Sequence, residues 1–357
     1  MHPSRPPRRL HLFVAAAAAL LIACSSDNTA PGGATGSLSL SISGLPSGTV
    51  AAVDVTGPGG YSKSVTAGGV LSGLTAGTYT LTANRVTDVG LDYASPAATV
   101  TVAADAQATA TVAYALRSLP RSSANRTDET ASPKYRIMYV LPSDGVDRNL
   151  DTDGTLLRTI SSWERWYASQ TGGKHLRLDT SDGAPDITFA RIARTDAVMT
   201  SYGVFIRDSL EKQLVAAGYS SPNTLLLVYY DGGNQSSCGS AAYPPALPGV
   251  LAAVFLKGLA GSAFPCASNP FAASPTAAPG YLEFTAAHEA LHALGIVSPG
   301  APNYSNQHVG NDPTDLMYAG ALAWHPAVLD VTKTNYYNPA GLPAGLINLA
   351  TSAYLVP

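Results

Sequence analysis

Charge is scarce in this 357-residue sequence: 13% of the residues are Asp, Glu, Lys or Arg, and the formal net charge is −3. Beyond the extreme N-terminus no block of Lys and Arg stands out, so the basic footprint of a nucleic-acid partner is missing and none is expected. Cysteine is nearly absent, with three in all, an odd number that leaves one over after pairing. Lys and Glu are scarce too, whereas Ser, Thr, Ala, Gly and Pro are abundant, a balance that suits an extracellular chain rich in strands and loops. Apolar residues make up 46%, enough for a buried core, and the length accommodates a signal segment and two domains of ordinary size.

Residues 1–24 read as an export signal. Arg5, Arg8 and Arg9 form a basic front, and an apolar stretch from Leu12 to Ala23 follows. That stretch falls short of the roughly 20 residues a membrane-spanning helix needs. Its end, Leu21-Ile22-Ala23-Cys24, resembles the lipobox of bacterial lipoproteins. The resemblance implies that Cys24 is lipidated and becomes the first residue of the mature chain, and Ser25 after it favours the outer membrane or cell surface. A plain secretory signal with an incidental cysteine is the alternative. With Cys24 lipidated, Cys238 and Cys266 remain in an oxidising export compartment, where a disulfide between them is expected and two free thiols are the alternative.

Residues 25–36 form a polar tether. Over residues 37–116 short alternating runs, such as SLSLSIS and TYTLTANRV, are punctuated by Gly, Pro and Asp, which argues a small antiparallel β-sandwich. The run GLTAGTY at 73–79 resembles carboxypeptidase-regulatory-like or PEGA-type sandwich modules, and a spacer is expected there over a binding module. Residues 117–134 are polar and broken by proline, an interdomain linker. Beyond it strands are expected at 135–141, 187–192, 224–230 and 250–256, helices at 156–168 and 201–217, and a Gly/Ala/Pro-rich loop at 258–280. The expected class is α+β, a small N-terminal antiparallel β-sandwich followed by a mixed α/β domain over 135–357.

Residues 281–295 read YLEFTAAHEALHALG. Phe284, Ala287, Leu291 and Leu294 recur at helical spacing, and Gly295 is a natural stop. His288 and His292 then lie on one face, one turn apart, and two imidazoles so placed can share a zinc ion at about 2.0–2.1 Å. Glu289 projects beside them, where a carboxylate can hold and deprotonate a water at the metal. With seven His and five Glu in the chain, the pattern arises by chance in on the order of one in five hundred such chains.

A catalytic zinc takes three protein ligands. Strict metzincin spacing puts the third His ten residues after the first, where this chain has Ser298. Further on, Pro313-Thr314-Asp315-Leu316-Met317-Tyr318 resembles the P-x-x-L-M-Y segment of matrixins, and His292-Ala293-Leu294-Gly295 their H-A-L-G run. Over residues 284–320 the chain is therefore similar to metzincin zinc proteases. The resemblance implies a metzincin-like α/β domain with Met317 at the floor of the site. It makes His308 the third ligand, with about ten residues inserted before it. Asp312, Asp315 and His325 are the competing ligands. Otherwise Asp315 is read as satisfying backbone donors in its turn, and Asp312 as an acceptor that orients the His308 ring. Tyr318, Trp324 and the pair Tyr336–Tyr337 are placed along the cleft, with a place in the core as the alternative, and His175 is placed on the surface. The acidic cluster Asp144, Asp147, Asp151 and Asp153 fails the EF-hand pattern, with Ile160 or Arg158 where Glu belongs, and reads as a solvated loop. The implied function is peptide-bond hydrolysis in protein or peptide substrates by a secreted, lipid-anchored zinc metalloendopeptidase with Glu289 as general base. The alternative is a non-catalytic surface-binding lipoprotein with a degenerate zinc site.

Overall fold

The computed structural model describes residues 34–126, 130–258, 266 and 271–357. The signal segment, Cys24 and most of the tether lie outside the described residues. The chain is α+β, with the strands of its first part forming a sandwich. Thr35–Ser43 lies between Gly69–Thr75 and Gln107–Ala113 in one sheet, and Tyr61–Val65, Val53–Gly57, Gly77–Ala83 and Ala98–Val102 follow one another in a second. Period two sends Leu38 and Leu40 of the first sheet and Val53, Val55, Tyr79 and Leu81 of the second into one buried cluster. One pairing departs from the antiparallel expectation: Thr35–Ser43 runs parallel to Gln107–Ala113, with Leu38 opposite Ala108. A hairpin forces opposite directions only on consecutive strands. Here the intervening chain crosses to the other sheet and back, which leaves direction free.

The second part contains, in order, β1 (Lys134–Leu141), α1 (Thr155–Thr171), β2 (Ile187–Arg191), α2 (Ile206–Ala216), β3 (Thr224–Asn234), β4 (Gly239–Tyr243), β5 (Leu247–Gly258) and α3 (Tyr281–His292). The sheet runs β2-β1-β3-β5-β4. The first four strands are parallel, and β4 returns antiparallel on the free edge. Parallel strands are covered on both faces and need apolar residues at nearly every position, and all eight residues of β1 are buried. Tyr135, Ile137 and Tyr139 meet Ile160 and Trp163 of α1 and Leu291 of α3. Met138 and Val140 point the other way, against Ile206, Leu210 and Leu214 of α2. Each such side chain stabilises the fold by about 1.5–3 kcal/mol. The helix expected at 201–217 starts only at Ile206. Gly203, at φ 54°, breaks it from the short helix Asp196–Thr200.

Residues 117–126 are tied to the second part. Phe189 N–H donates to Ser122 O at 2.8 Å, Arg121 pairs with Asp147 and Asp151, and Arg126 pairs with Asp186. Asp151 is thereby buried, so the acidic loop is held by ion pairs and is not simply solvated. His175 is buried too, against the surface expectation, because its strand His175–Leu176 pairs with Leu355–Val356 and its ring packs on Gly90. Cys238 and Cys266 form the expected disulfide. Among the described residues no helix is long and apolar enough to cross a membrane.

Candidate metal centre

Helix α3 starts where Glu283 accepts from the Gly280 N–H at 3.1 Å. Ala286, Ala287, Ala290 and Leu291 bury its inner face in the main core. Its other side borders a cleft of about 480 Å³, along which Tyr281, Thr285, His288 and His292 succeed one another at spacings of four, three and four. After the helix Gly295, at φ 80°, ends the turn in the left-handed conformation. The chain then forms a hairpin of β6 (Tyr304–Ser305) and β7 (His308–Val309). Asn306 and Gln307 join the two strands with φ 46° and 73°, as a type I′ turn demands. Val309 docks on the turn at 315–318, donating to Met317 O at 2.8 Å and accepting from Ala319 N–H at 3.1 Å.

This docking brings His308 to the helix. His292 Nε2 and His308 Nε2 stand 3.1 Å apart, and one ring nitrogen from each of His288, His292 and His308 lies within 4.8 Å of the others. The Nδ1 atoms meet backbone carbonyls at 2.7 Å: His288 at Leu316, His292 at Ile296 and His308 at Asn306. A carbonyl only accepts, so each neutral ring carries its hydrogen on Nδ1 and leaves a lone pair on Nε2. Two such lone pairs facing at 3.1 Å repel unless a proton or a cation lies between them. Burial disfavours the proton, pushing His288 down to about 3, His292 well below the usual imidazole range and His308 below it. The neighbouring rings push His288 and His292 the same way. The three imidazoles could therefore hold a metal ion.

Glu289 is buried beside them, and burial raises its carboxyl to about 8. It lies so close to Gly239 of β4 that a Cβ there would stand 2.4 Å from Oε1. The competing ligands are engaged elsewhere. Asp315 accepts from the N–H groups of Met317 (2.9 Å) and Val331 (3.0 Å) and from the Tyr336 hydroxyl (2.8 Å). Those bonds fix the turn whose Leu316 carbonyl holds His288. Burial raises Asp315 to about 7 against these donors. Asp312 accepts from Thr314, at 2.9 Å from its N–H and 2.7 Å from its hydroxyl, so it does not orient the His308 ring as expected. The Asn306 carbonyl, two residues away in the hairpin turn, does that instead. His325 stays outside the group.

Tyr318 and Trp324 line the cleft. Tyr336 and Tyr337 do not. Asp330 takes their N–H groups at 2.8 and 2.9 Å and draws the segment into the core. The opposite wall, Ser237 to Ala241, includes the start of β4, where the sequence suggested no element. Its only signal was Cys238, whose bond to Cys266 pins the strand's beginning. The Trp324 indole donates to Asp315 O at 3.2 Å and stands edge-on to Tyr281 and His288, at 5.2 and 5.5 Å between centroids. Among the described lining residues Glu289 is the one carboxylate, and there is no Lys or Arg.

No family model and no curated protein matches this chain. Among solved structures, GBS52, the minor pilin of the Gram-positive pathogen Streptococcus agalactiae, is similar over 26% of this chain at 16% identity and a TM-score of 0.21. The match spans about half (48%) of that pilin chain. At that score the likeness supports no inference about this protein.

Proposed function

We propose that the protein is a zinc-dependent metalloendopeptidase of metzincin type, exported and held at the cell envelope through Cys24. The observation that carries the reading is three Nε2 lone pairs converging beside a buried carboxylate. A tetrahedral zinc with bonds of 2.0–2.1 Å needs ligand nitrogens roughly 3.3 Å apart, and the His292–His308 pair stands at 3.1 Å. When bound, zinc would supply Lewis acidity, polarising a carbonyl and making a water acidic near neutral pH.

The remaining work falls to the chain. Glu289, buried beside the three rings, accepts the proton of the attacking water and hands it to the leaving amine. The carboxyl, which burial alone raises, would be drawn back down and kept ionised by a cation held at the three rings. Orientation comes from the Leu316, Ile296 and Asn306 carbonyls, which hold the ring hydrogens away from the site. The free edge of β4 borders the cleft, and an extended peptide can add to such an edge through main-chain hydrogen bonds. The likeness of residues 284–320 to matrixins supports the same reading.

Metal analysis and peptide hydrolysis test it together. Wild type should hold close to one zinc per chain, and Ala at His288, His292 or His308 should sharply weaken binding. Glu289→Ala should keep zinc and fold while hydrolysis falls by a factor of about 10² or more. Wild type that holds no zinc and cleaves no peptide in its presence overturns the proposal.

A further inference from the structure

Tyr243 closes β4, buried edge-on to His292 with ring centroids 6.0 Å apart. Its hydroxyl donates to the carbonyl of Val297. The Val297 N–H donates to Gln307 O at 3.1 Å, and the carbonyl of the preceding Ile296 meets His292 Nδ1 at 2.7 Å. Ile296 and Val297 thus sit between one ligand, His292, and the hairpin that carries another, His308.

We propose that Tyr243 is a positioning residue for the metal site. By holding the Val297 carbonyl it fixes the Ile296 carbonyl that orients His292, and through the Val297 N–H on Gln307 O it steadies the hairpin that delivers His308. The inference rests on the zinc reading above. It adds a link that neither the ligand spacing nor the pattern of His288, Glu289 and His292 contains: the edge strand along which a peptide would lie also holds two of the proposed ligands in aim. Partners that orient a ligand ring typically contribute about 10–100-fold in metal affinity.

The test uses the full chain, with zinc affinity measured by competition against a chromophoric chelator and the absorption spectrum recorded after cobalt(II) substitution. Tyr243→Phe keeps the ring against His292 and removes only the hydroxyl. It should weaken zinc by about 10–100-fold and shift the cobalt bands. A Tyr243→Phe protein that is less stable yet keeps wild-type zinc affinity and cobalt spectrum makes the hydroxyl merely structural and overturns the proposal. If that variant unfolds in plain buffer, the same two readings are taken in sucrose, which favours the folded state, and wild-type affinity and spectrum there overturn the proposal. Wild type without zinc is a separate result, which removes the metal reading and this inference with it.

Discussion

A single methyl group on Gly239 should disable the site without touching a ligand. An alanine Cβ there would stand 2.4 Å from Glu289 Oε1, 2.6 Å from its Cγ and 2.7 Å from its Cδ, all inside the 3.0 Å that real Cβ contacts respect. Gly239 does not have a positive φ, so the backbone accepts alanine and β4 keeps its pairing opposite Val254. Because Cγ is obstructed along with the carboxylate, rotating the tip alone gives no relief. The whole side chain must shift, and a misplacement of about 1 Å at a catalytic group can cost about 10²-fold in rate. In Gly239→Ala, kcat should therefore fall by about 10²-fold, roughly 2.7 kcal/mol of barrier, while zinc content and Tm stay near wild type. Steady-state hydrolysis of an uncharged peptide, metal analysis and a thermal melt supply the three readings. The double variant Gly239→Ala/Glu289→Gln should be no slower than Glu289→Gln alone, since both changes act on one group. Wild-type kcat in Gly239→Ala refutes the confinement of Glu289, and a further loss in the double variant shows that the methyl acts by another route.

Three further outcomes follow from other parts of the molecule. Burial raises Asp315 from the ordinary 3.8 to about 7, so the native state holds that proton more tightly than the unfolded chain does. Its stabilisation is full below about pH 4 and is lost as pH rises through about 7, by up to about 4 kcal/mol. Urea unfolding of wild type and Asp315→Asn at pH 5 and pH 8 checks this, and equal pH slopes in the two proteins count against it. Replacing Cys238 and Cys266 by Ser opens a link across 28 residues of sequence. In the chain-entropy model that costs about 3–4 kcal/mol, and an unchanged denaturation midpoint would contradict it. Cys24→Ser should move the protein from the detergent phase to the aqueous phase, and identical partitioning of both forms rules out the lipid anchor.

The central strands and α3 are legible because burial leaves a mark on composition. TLLLVYY at the start of β3 is apolar on both faces, as a strand covered by helices on each side must be. In α3 the apolar residues recur at helical spacing, and that pattern alone places His288 and His292 on one side. β4 leaves no such mark. GSAAY is small where it meets β5 and the cleft, and at Gly239 size is set by the close approach of Glu289, not by polarity. The parallel pairing of the first sandwich strand is equally silent, since strand direction across a long connection is not encoded in local pattern. The burial of His175 depends on a partner far along the chain, Leu355–Val356, and that of the Tyr336–Tyr337 pair on the hydroxyl contacts with Asp315 and Thr171 as well as on the nearby Asp330.

His308, the proposed third ligand, shows why strict spacing is dispensable. Ser298 occupies the position where a compact site would have its histidine, and its hydroxyl instead accepts from the Ile347 N–H at 2.9 Å. What aims each ring is a carbonyl from a non-helical segment, and each of those segments is tied separately. Leu316 is held by the Asp315 turn, Ile296 by its neighbour Val297 and Tyr243, and Asn306 by the hairpin turn. Loop closure grows slowly with length, each doubling costing only about 0.6 kcal/mol. Extra residues between α3 and the hairpin therefore weigh little, provided that Val309 still docks on Met317 and Ala319. The geometry that a metal needs is thus set by a few local hydrogen bonds. A spacing pattern reports those bonds only when the connecting chain happens to be short.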